Sequence, residues 1–232
     1  MTAASCCRPS KVRTLACMAI ASSTILYLPE ATGPLLVHRL DMSTSGILLV
    51  AKTKEAHEYL QYQFIRRTIK KRYVARLDGE LKETGGVIDL PLRVDLNDRP
   101  RQLVCYEYGK HARTEWELME VKNGCSDVYF YPVTGRTHQL RAHMAELGHP
   151  IIGDGKYGGS ATENLGDGWG AGLGGEVSRK LHLHARSLTI QHPITKAMLT
   201  FTAPLPDHMA RTWKTLDWKE NDVPADPFEV FK

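Results

Sequence analysis

The sequence is poor in the features that mark several large classes of protein. Its five cysteines include no Cys-x-x-Cys pair, so neither a zinc ribbon nor a thioredoxin-type site is indicated, and free thiols are the simplest account. No apolar run reaches the roughly 20 residues that a membrane-spanning helix needs. The uncharged stretch over residues 14–28 is too short, although the cations before it resemble those of a presequence. We therefore predict a cytoplasmic protein without a membrane segment, with a mitochondrial location as the minor alternative.

What is present is the composition of an ordinary folded chain. The 232 residues are 42% hydrophobic and 24% charged, which excludes wholesale disorder and leaves room for one large domain with a sizeable core. Lys and Arg outnumber Asp and Glu by 30 to 26, which gives a net charge of +4. Such a balance permits an acidic partner such as RNA and does not require one.

Composition divides the chain into three regions. Residues 1–30 have no acid before Glu30 and little pattern, so we predict a poorly ordered extension in which residues 25–28 form one strand. Residues 31–206 carry repeated strand and helix signals and are predicted to form one folded domain. Residues 207–232 are predicted to be a helix followed by an acidic tail. Ten glycines over residues 153–175 predict a mobile loop.

The periodicity of apolar residues in the middle region predicts more strands than helices. The run Gly46–Ala51 is continuous and aliphatic, as in a strand buried on both faces. Thr53 is predicted to cap a helix through Phe64, and a second helix is predicted over residues 137–148. Further strands are predicted at 70–77, 86–92, 101–108, 111–121, 127–133, 181–191 and 198–202. This pattern predicts an α+β fold, with a mainly antiparallel mixed sheet flanked by a few helices.

One short segment concentrates positive charge. Six cations lie within eleven residues and have no acid among them, at Arg66, Arg67, Lys70, Lys71, Arg72 and Arg76. One interpretation is a solvated helix end that runs into an exposed strand. The other is a face that binds a polyanion, because cations along a strand beside Tyr73 supply phosphate neutralisation and a ring for base stacking. The residues alone leave both interpretations open.

A carboxylate and several hydroxyls precede the first buried strand, in the segment 38–46. One interpretation is a turn in which Asp41 and its Ser and Thr neighbours bond loose backbone groups. The other is a reactive group, since a carboxylate at the mouth of a rigid strand, two residues from Arg39, can act as nucleophile or base. Its target would be an anomeric carbon or an electrophilic ring.

A further cationic segment, residues 135–143, spans a strand end and a helix start. Free N–H groups there favour an anion, and Arg136 offers a guanidinium that matches a carboxylate in bidentate fashion. Such a pair would hold Asp41 ionised. His138 and His143 are five residues apart, but no spacing typical of a zinc hydrolase is present. We expect no metal site, and predict that these histidines are hydrogen-bonded in the core or face RNA.

Five segments stand along the chain in a definite order: His38-Arg39-Leu40-Asp41-x-x-Thr44-Ser45-Gly46, Lys71-x-Tyr73-x-Ala75, Gly135-Arg136-Thr137-His138-Gln139-Leu140-Arg141-x-His143, Gly148-His149-Pro150-Ile151-x-Gly153-Asp154 and Leu183-His184-Ala185. In this order they resemble the RluA family of RNA pseudouridine synthases, over about residues 36–206. The first and third segments are long enough that chance agreement is remote. The family's usual Lys-Pro turn before the first motif has no match in residues 1–35.

The resemblance implies an isomerase that needs no cofactor, since pseudouridine formation breaks the N1–C1′ bond of a uridine and joins C5 to C1′ without redox change. It implies Asp41 as the catalytic carboxylate, attacking C1′ or removing a ribose proton, with Arg136 as its ion-pair partner. Tyr73 would stack on the uracil and assist the loss of the C5 proton. Leu183 would line the base pocket, and Arg39 would fill the space left by the flipped base.

The same resemblance implies an RNA-binding surface around this centre. Its remaining implied contacts are Thr44, Lys71, His138, Arg141, Arg66, Arg67 and Lys70. Residues 98–102 resemble the branch of the family whose substrates include rRNA and tRNA, so we expect a stem-loop of either RNA as partner, and a monomeric enzyme.

Two rival interpretations come from other classes of protein. A non-catalytic RNA-binding or assembly protein on the same fold would not need Asp41, Tyr73 and Arg136 together, and this chain has all three. A metal-dependent hydrolase would need a recognisable set of ligands.

Overall fold

The structure, a computed structural model, describes residues 17–20, 33, 35–158 and 180–215, with the backbone alone at 17–20. In this part of the chain the strands are β1 (Cys17–Ile20), β2 (Leu35–Leu36), β3 (Ser45–Ala51), β4 (Lys70–Asp78), β5 (Gly85–Asp89), β6 (Leu92–Val94), β7 (Gln102–Val104), β8 (Arg113–Lys122), β9 (Cys125–Pro132), β10 (Leu183–Gln191) and β11 (Met198–Thr202). The helices are α1 (Lys54–Arg66), α2 (Gln139–Glu146) and α3 (Asp207–Thr215). None of these helices is both long and apolar enough to cross a membrane.

Most of these strands join in one sheet. Its order is β1-β3-β10-β4-β9-β8-β5, with β11 beside β10 and β2 beside β3, while β6 and β7 form a separate hairpin. Among the described strands the pairings are antiparallel, except that of β3 with β10. The predicted α+β class with a mainly antiparallel sheet is confirmed.

The parallel pairing of β3 with β10 brings two distant segments together. Gly46 lies opposite Ala185 with φ of 118°, and a Cβ at Gly46 would collide with the backbone of Ala185. Only glycine tolerates both that φ and that approach. Because parallel neighbours begin at the same edge of a sheet, Asp41, just before β3, comes close to Leu183, the first residue of β10.

Helix α1 crosses one face of the sheet and ends beside the same edge. The Thr53 side chain accepts a hydrogen bond from the Ala56 amide at 3.2 Å, as predicted for an N-cap. Leu60 is buried among the aliphatic side chains of β3 and β10. Arg67 ends the helix in the left-handed conformation, with φ of 58°.

Helix α2 packs on the same sheet face as α1, where Leu140 and Met144 join Val128 and Phe130 in a second buried cluster. At its start His138 adopts φ of 51°, and no side chain caps the helix. Helix α3 adds Trp213, which packs in a further cluster with Val74.

The structure differs from the predicted elements in the middle of the sheet. The strand predicted at 86–92 ends at Asp89, because Pro91 has no N–H to donate to a neighbouring strand, and β6 begins after it. The strand predicted at 101–108 is only β7, since the chain turns after it and the Gly109 amide bonds the Cys105 carbonyl at 2.8 Å.

Several predictions fall on residues outside the described part of the chain. These are the strand at 25–28, the glycine-rich loop beyond residue 158, and the acidic tail beyond residue 215. The predicted character of the extension and of the three-region division stays a prediction.

Candidate active site

A cavity of about 260 Å³ opens where the loop before β3, the start of β4 and the loop before α2 meet. We call it the Asp41 cavity. The residues predicted for the site that line it are Arg39, Asp41, Thr44, Lys71, Tyr73, Arg136 and Leu183. Side chains from four separate sequence segments therefore converge on one space.

The loop that carries Asp41 is held by its own backbone and by His38. The Asp41 carbonyl accepts the Thr44 amide at 2.9 Å, which closes a tight turn. The Leu49 amide donates to Nε2 of His38 at 3.0 Å, and the His38 ring stacks on Phe64 with 4.9 Å between centroids. Burial lowers the pKa of His38 to about 4, so the ring is neutral and able to accept that bond.

Tyr73 reaches the cavity from β4, where its backbone lies between Ala185 and Phe130. Burial raises the pKa of its phenol, and the negative charge of Asp41 raises it further. The two side chains are therefore electrostatically coupled, and Tyr73 keeps its proton at neutral pH.

The ion pair predicted between Arg136 and Asp41 is not formed. Arg136 is exposed at the rim of the cavity, and its Nε donates to the His111 carbonyl at 2.9 Å. Among the described residues, no cation lies within 4.0 Å of the Asp41 carboxylate.

A second arginine, Arg141, is the buried cation whose pKa responds to Asp41. It forms a bidentate pair with Asp154, from Nε to Oδ2 at 2.7 Å and from Nη2 to Oδ1 at 2.8 Å. Burial lowers the pKa of Arg141, but the hydrogen bonds and charge of Asp154, together with the charge of Asp41, outweigh burial and raise it. Asp154 is 1% exposed, and its Oδ1 also accepts the backbone amides of Lys156 and Tyr157.

Asp41 also lines a larger cavity of about 700 Å³ on its other side, which we call the His138 cavity. The predicted site residues Arg39, His138 and Arg141 line it. Cationic side chains of Lys156 and Lys180 lie at its edge. The carboxylate of Asp41 thus stands at the boundary between two openings, both rich in positive charge.

The histidines of the α2 motif are held by hydrogen bonds in the core. Nδ1 of His138 lies 3.1 Å from the Tyr157 hydroxyl. The ring nitrogens of His143 lie 3.1 Å from Oγ1 of Thr114 and 3.0 Å from the Leu90 carbonyl. Among the described residues, no group of three or more His, Cys, Asp or Glu side chains is arranged to hold a metal ion.

The cationic segment divides into an open half and a buried half. Arg66, Arg67 and Lys70 are exposed where α1 ends and β4 begins. Arg76, by contrast, is fully buried and lies 3.3 Å from Asp127, so it cannot contact RNA. Of the two interpretations left open for this segment, a face that binds a polyanion does not include Arg76, because the alternation of β4 turns it toward α3.

Comparison with known proteins identifies the family of the chain. The model of the RNA pseudouridylate synthase family matches residues 19–146. The dual-specificity RNA pseudouridine synthase RluA of Escherichia coli K12 is 46% identical over 169 residues, which cover 72% of each chain. The chain belongs to the RNA pseudouridine synthase family. As a member it is an isomerase that acts on RNA, as predicted.

Two solved human structures agree with this pseudouridine synthase assignment. Human RNA Pseudouridylate Synthase Domain Containing 1 is 30% identical, with a TM-score of 0.61 and coverage of 77% of this chain and 73% of its own. Human RNA Pseudouridylate Synthase Domain Containing 4 is 26% identical, with a TM-score of 0.66 and coverage of 82% and 78%.

Sequence reasoning missed two residues that hold the lining of the two cavities in place. One is Asp154, which holds Arg141. The other is Gln139, whose buried amide oxygen accepts the Arg136 amide at 2.9 Å and the Thr134 hydroxyl at 2.7 Å, while its nitrogen donates to the Arg113 carbonyl. Both lie within motifs quoted from the sequence, but the Asp154 contact to Arg141 and the Gln139 contact to Arg113 join residues 13 and 26 positions apart, a spacing that gives no signal.

Proposed function

We propose that this pseudouridine synthase isomerises a uridine in stem-loops of both rRNA and tRNA, with Asp41 as the catalytic carboxylate. The observation that carries the proposal is the Asp41 cavity itself. It joins a carboxylate, a protonated phenol and the apolar Leu183 in about 260 Å³. That volume lies below the roughly 300–1,000 Å³ typical of sites for drug-sized ligands, and suits a single base. The Escherichia coli relative is named as a dual-specificity enzyme, which supports two RNA classes.

The Asp41 carboxylate can act by either of two routes. It either attacks C1′ as the N1–C1′ bond breaks, or removes a ribose proton so that uracil leaves. The uracil then turns within the cavity and C5 joins C1′, which breaks the C1′–Asp41 bond in the first route and is accompanied by return of the ribose proton from Asp41 in the second. The C5 proton is lost, and N1 gains a proton. No cofactor takes part, because the atoms and electrons balance within the nucleoside.

Arg141 is proposed as the counter-charge for Asp41, in place of Arg136. Asp154 fixes the Arg141 guanidinium through two hydrogen bonds, so that this cation lines the His138 cavity together with Asp41. Arg136, bound to the His111 carbonyl at the rim, is placed to meet a phosphate instead.

Tyr73 is proposed to stack on the uracil rather than to act as a base. A phenol whose pKa is raised holds its proton, and is therefore a weak acceptor for the C5 proton. Stacking requires only the aromatic ring, on which any base can pack.

Thr44 is proposed to bond the polar edge of the uracil. Its hydroxyl is buried at the cavity wall and has no hydrogen-bond partner among the described residues. A buried hydroxyl without a partner costs about 1–3 kcal/mol, which a bound base would recover.

The target uridine has to leave its stack to reach this cavity, at a cost of a few kcal/mol. Arg39 is exposed where both cavities meet, so it is proposed to fill the vacated space. The exposed cations Arg66, Arg67 and Lys70 are proposed to hold flanking phosphates. We further propose that the protein acts as a monomer in the cytoplasm.

Unmodified transcripts of rRNA and of tRNA, treated separately with the purified protein, test the substrate assignment. We expect pseudouridine at one stem-loop uridine in each class of transcript, mapped by carbodiimide modification and primer extension. Conversion in one class alone would disprove dual specificity, and conversion in neither would disprove the proposed substrates.

Replacing Arg66, Arg67 and Lys70 together with Gln is expected to weaken RNA binding and to flatten its salt dependence. Each lost phosphate contact lowers the slope of log K against log salt by about 0.7–0.9, so the triple variant should lose about 2 units. Fluorescence anisotropy with a labelled stem-loop between 50 and 200 mM salt, roughly the range in which such contacts weaken, measures it.

The matched control replaces three exposed lysines that line neither cavity, Lys54, Lys82 and Lys214, with Gln. It should leave the slope unchanged. Equal slopes for the two triple variants would show that the cationic segment is only a solvated surface.

A further inference from the structure

A second opening, of about 290 Å³, lies beside the Asp41 cavity, between the end of α1 and the loop before α2. We call it the Ile65 pocket. It shares part of its wall with the Asp41 cavity, namely Phe64, Lys71, Thr134, Gly135 and Arg136. An RNA strand that places one nucleotide in the Asp41 cavity therefore has the Ile65 pocket directly beside that nucleotide.

The wall of the Ile65 pocket is positively charged. Arg67, Lys71 and Arg136 line it, and no acid does so among the described residues. Nζ of Lys71 has one weak bond, to the Thr134 carbonyl at 3.4 Å. Burial, and then the charge of Arg67, lower the pKa of Lys71 to about 8. Cations that repel one another without a neutralising acid form a site for an anion.

The remaining surface of the pocket is apolar. Ile65 is 76% exposed at the end of α1, whereas Ala56 and Leu60 of the same helix are buried. Ile69, Val133 and Phe64 continue this surface inward. An anion alone, such as phosphate, would not use such a surface, whereas a nucleotide has both an anionic and an apolar part.

We propose that the Ile65 pocket binds the nucleotide next to the target uridine in the RNA strand. Its base lies against Ile65, and the phosphate that joins it to the target uridine lies between Lys71, Arg67 and Arg136. The pocket thus sets the preference of the enzyme for the sequence beside the uridine. This inference rests on the proposed function of the Asp41 cavity.

The test uses a synthetic stem-loop around the uridine mapped in the transcripts, with one neighbour at a time made abasic. With the wild-type protein, an abasic site on one side of the uridine should raise KM about tenfold and leave kcat within about twofold. With Ile65→Ala the same lesion should raise KM by no more than about twofold, because the apolar contact is already lost.

The control is Val121→Ala, which shortens an exposed aliphatic side chain that lines none of the three openings. It should show the full tenfold effect of the abasic site. A single methylphosphonate beside the uridine probes the phosphate contact in the same way, and Arg67→Asn should reduce its effect, since Asn tolerates the left-handed backbone of Arg67.

Two results would overturn the inference: no effect of either neighbouring abasic site on the wild type, or an undiminished effect in Ile65→Ala. Conversion of the intact stem-loop by the wild type keeps this outcome separate from the proposed function. If the intact stem-loop were not converted, the proposed function would fail. In that case, fluorescence anisotropy with the same abasic RNAs would test binding at the Ile65 pocket independently of catalysis.

Discussion

Asp41→Asn is expected to lower kcat for pseudouridine formation by about 10³-fold or more, while the affinity for RNA stays within about twofold. Asn keeps the size of the side chain but can neither attack C1′ nor take a proton. Asp41 has no ion-pair partner within 4.0 Å among the described residues, so the substitution breaks no salt bridge. Tritium release from RNA labelled at uracil C5 measures kcat, and anisotropy measures binding.

A matched acid-to-amide change, Glu58→Gln, removes a carboxylate from the exposed face of α1, where its ion pair with Lys54 spans 3.8 Å. This variant should be fully active. If Asp41→Asn kept more than a tenth of wild-type kcat, the catalytic carboxylate would have to be another residue.

Asp154→Ala is expected to destabilise the protein by about 3–5 kcal/mol, because it leaves the buried Arg141 without its partner. It also removes the acceptor of the Lys156 and Tyr157 amides. The free energy of unfolding in urea measures this loss. A second variant, Asp154→Ala with Arg141→Leu, should recover part of it, because the unpaired charge is then gone.

The control for Asp154 is an exposed carboxylate that pairs with a neighbouring residue. Asp98 bonds Nζ of Lys156 at 2.6 Å, but its side chain is half exposed, so Asp98→Ala should cost at most about 1 kcal/mol. Equal losses for the two variants would show that the Arg141–Asp154 pair contributes no more than a surface contact.

Local patterns were sufficient to predict most of the elements. The aliphatic run before Ala51 is β3, and Thr53 caps α1, because both features depend on neighbours within a few residues. The short strand β2 was missed, since two residues carry no periodicity. Pro91 divides a predicted strand. Its missing N–H indicates the end of a strand, but the apolar pattern around it favoured one continuous strand.

The sequence predicted that several distant residues lie close together, but not all of their contacts. The motifs indicated which residues converge, and the structure places Asp41, Tyr73 and Leu183 on one cavity. The pairing of charges depends on tertiary geometry: Arg136 meets the His111 carbonyl from a distant strand end, and Arg141 meets Asp154 beyond the end of α2. No spacing in the sequence distinguishes these two arginines.

The burial of side chains in the cationic segment likewise depends on tertiary contacts. Alternation along β4 correctly divides its side chains into two sets, but it does not say which set is buried. Arg76 lies inside because Asp127 on β9 and Trp213 on α3 surround it. Such partners are contributed by residues far along the chain.

The most direct test of the central claim is a map of pseudouridines in the RNA of cells that lack this protein. We expect at least one pseudouridine to be missing from rRNA and one from tRNA, and both to return with the wild-type gene but not with Asp41→Asn. An unchanged map, or full restoration by Asp41→Asn, would contradict the assignment of this cavity as a pseudouridine synthase centre.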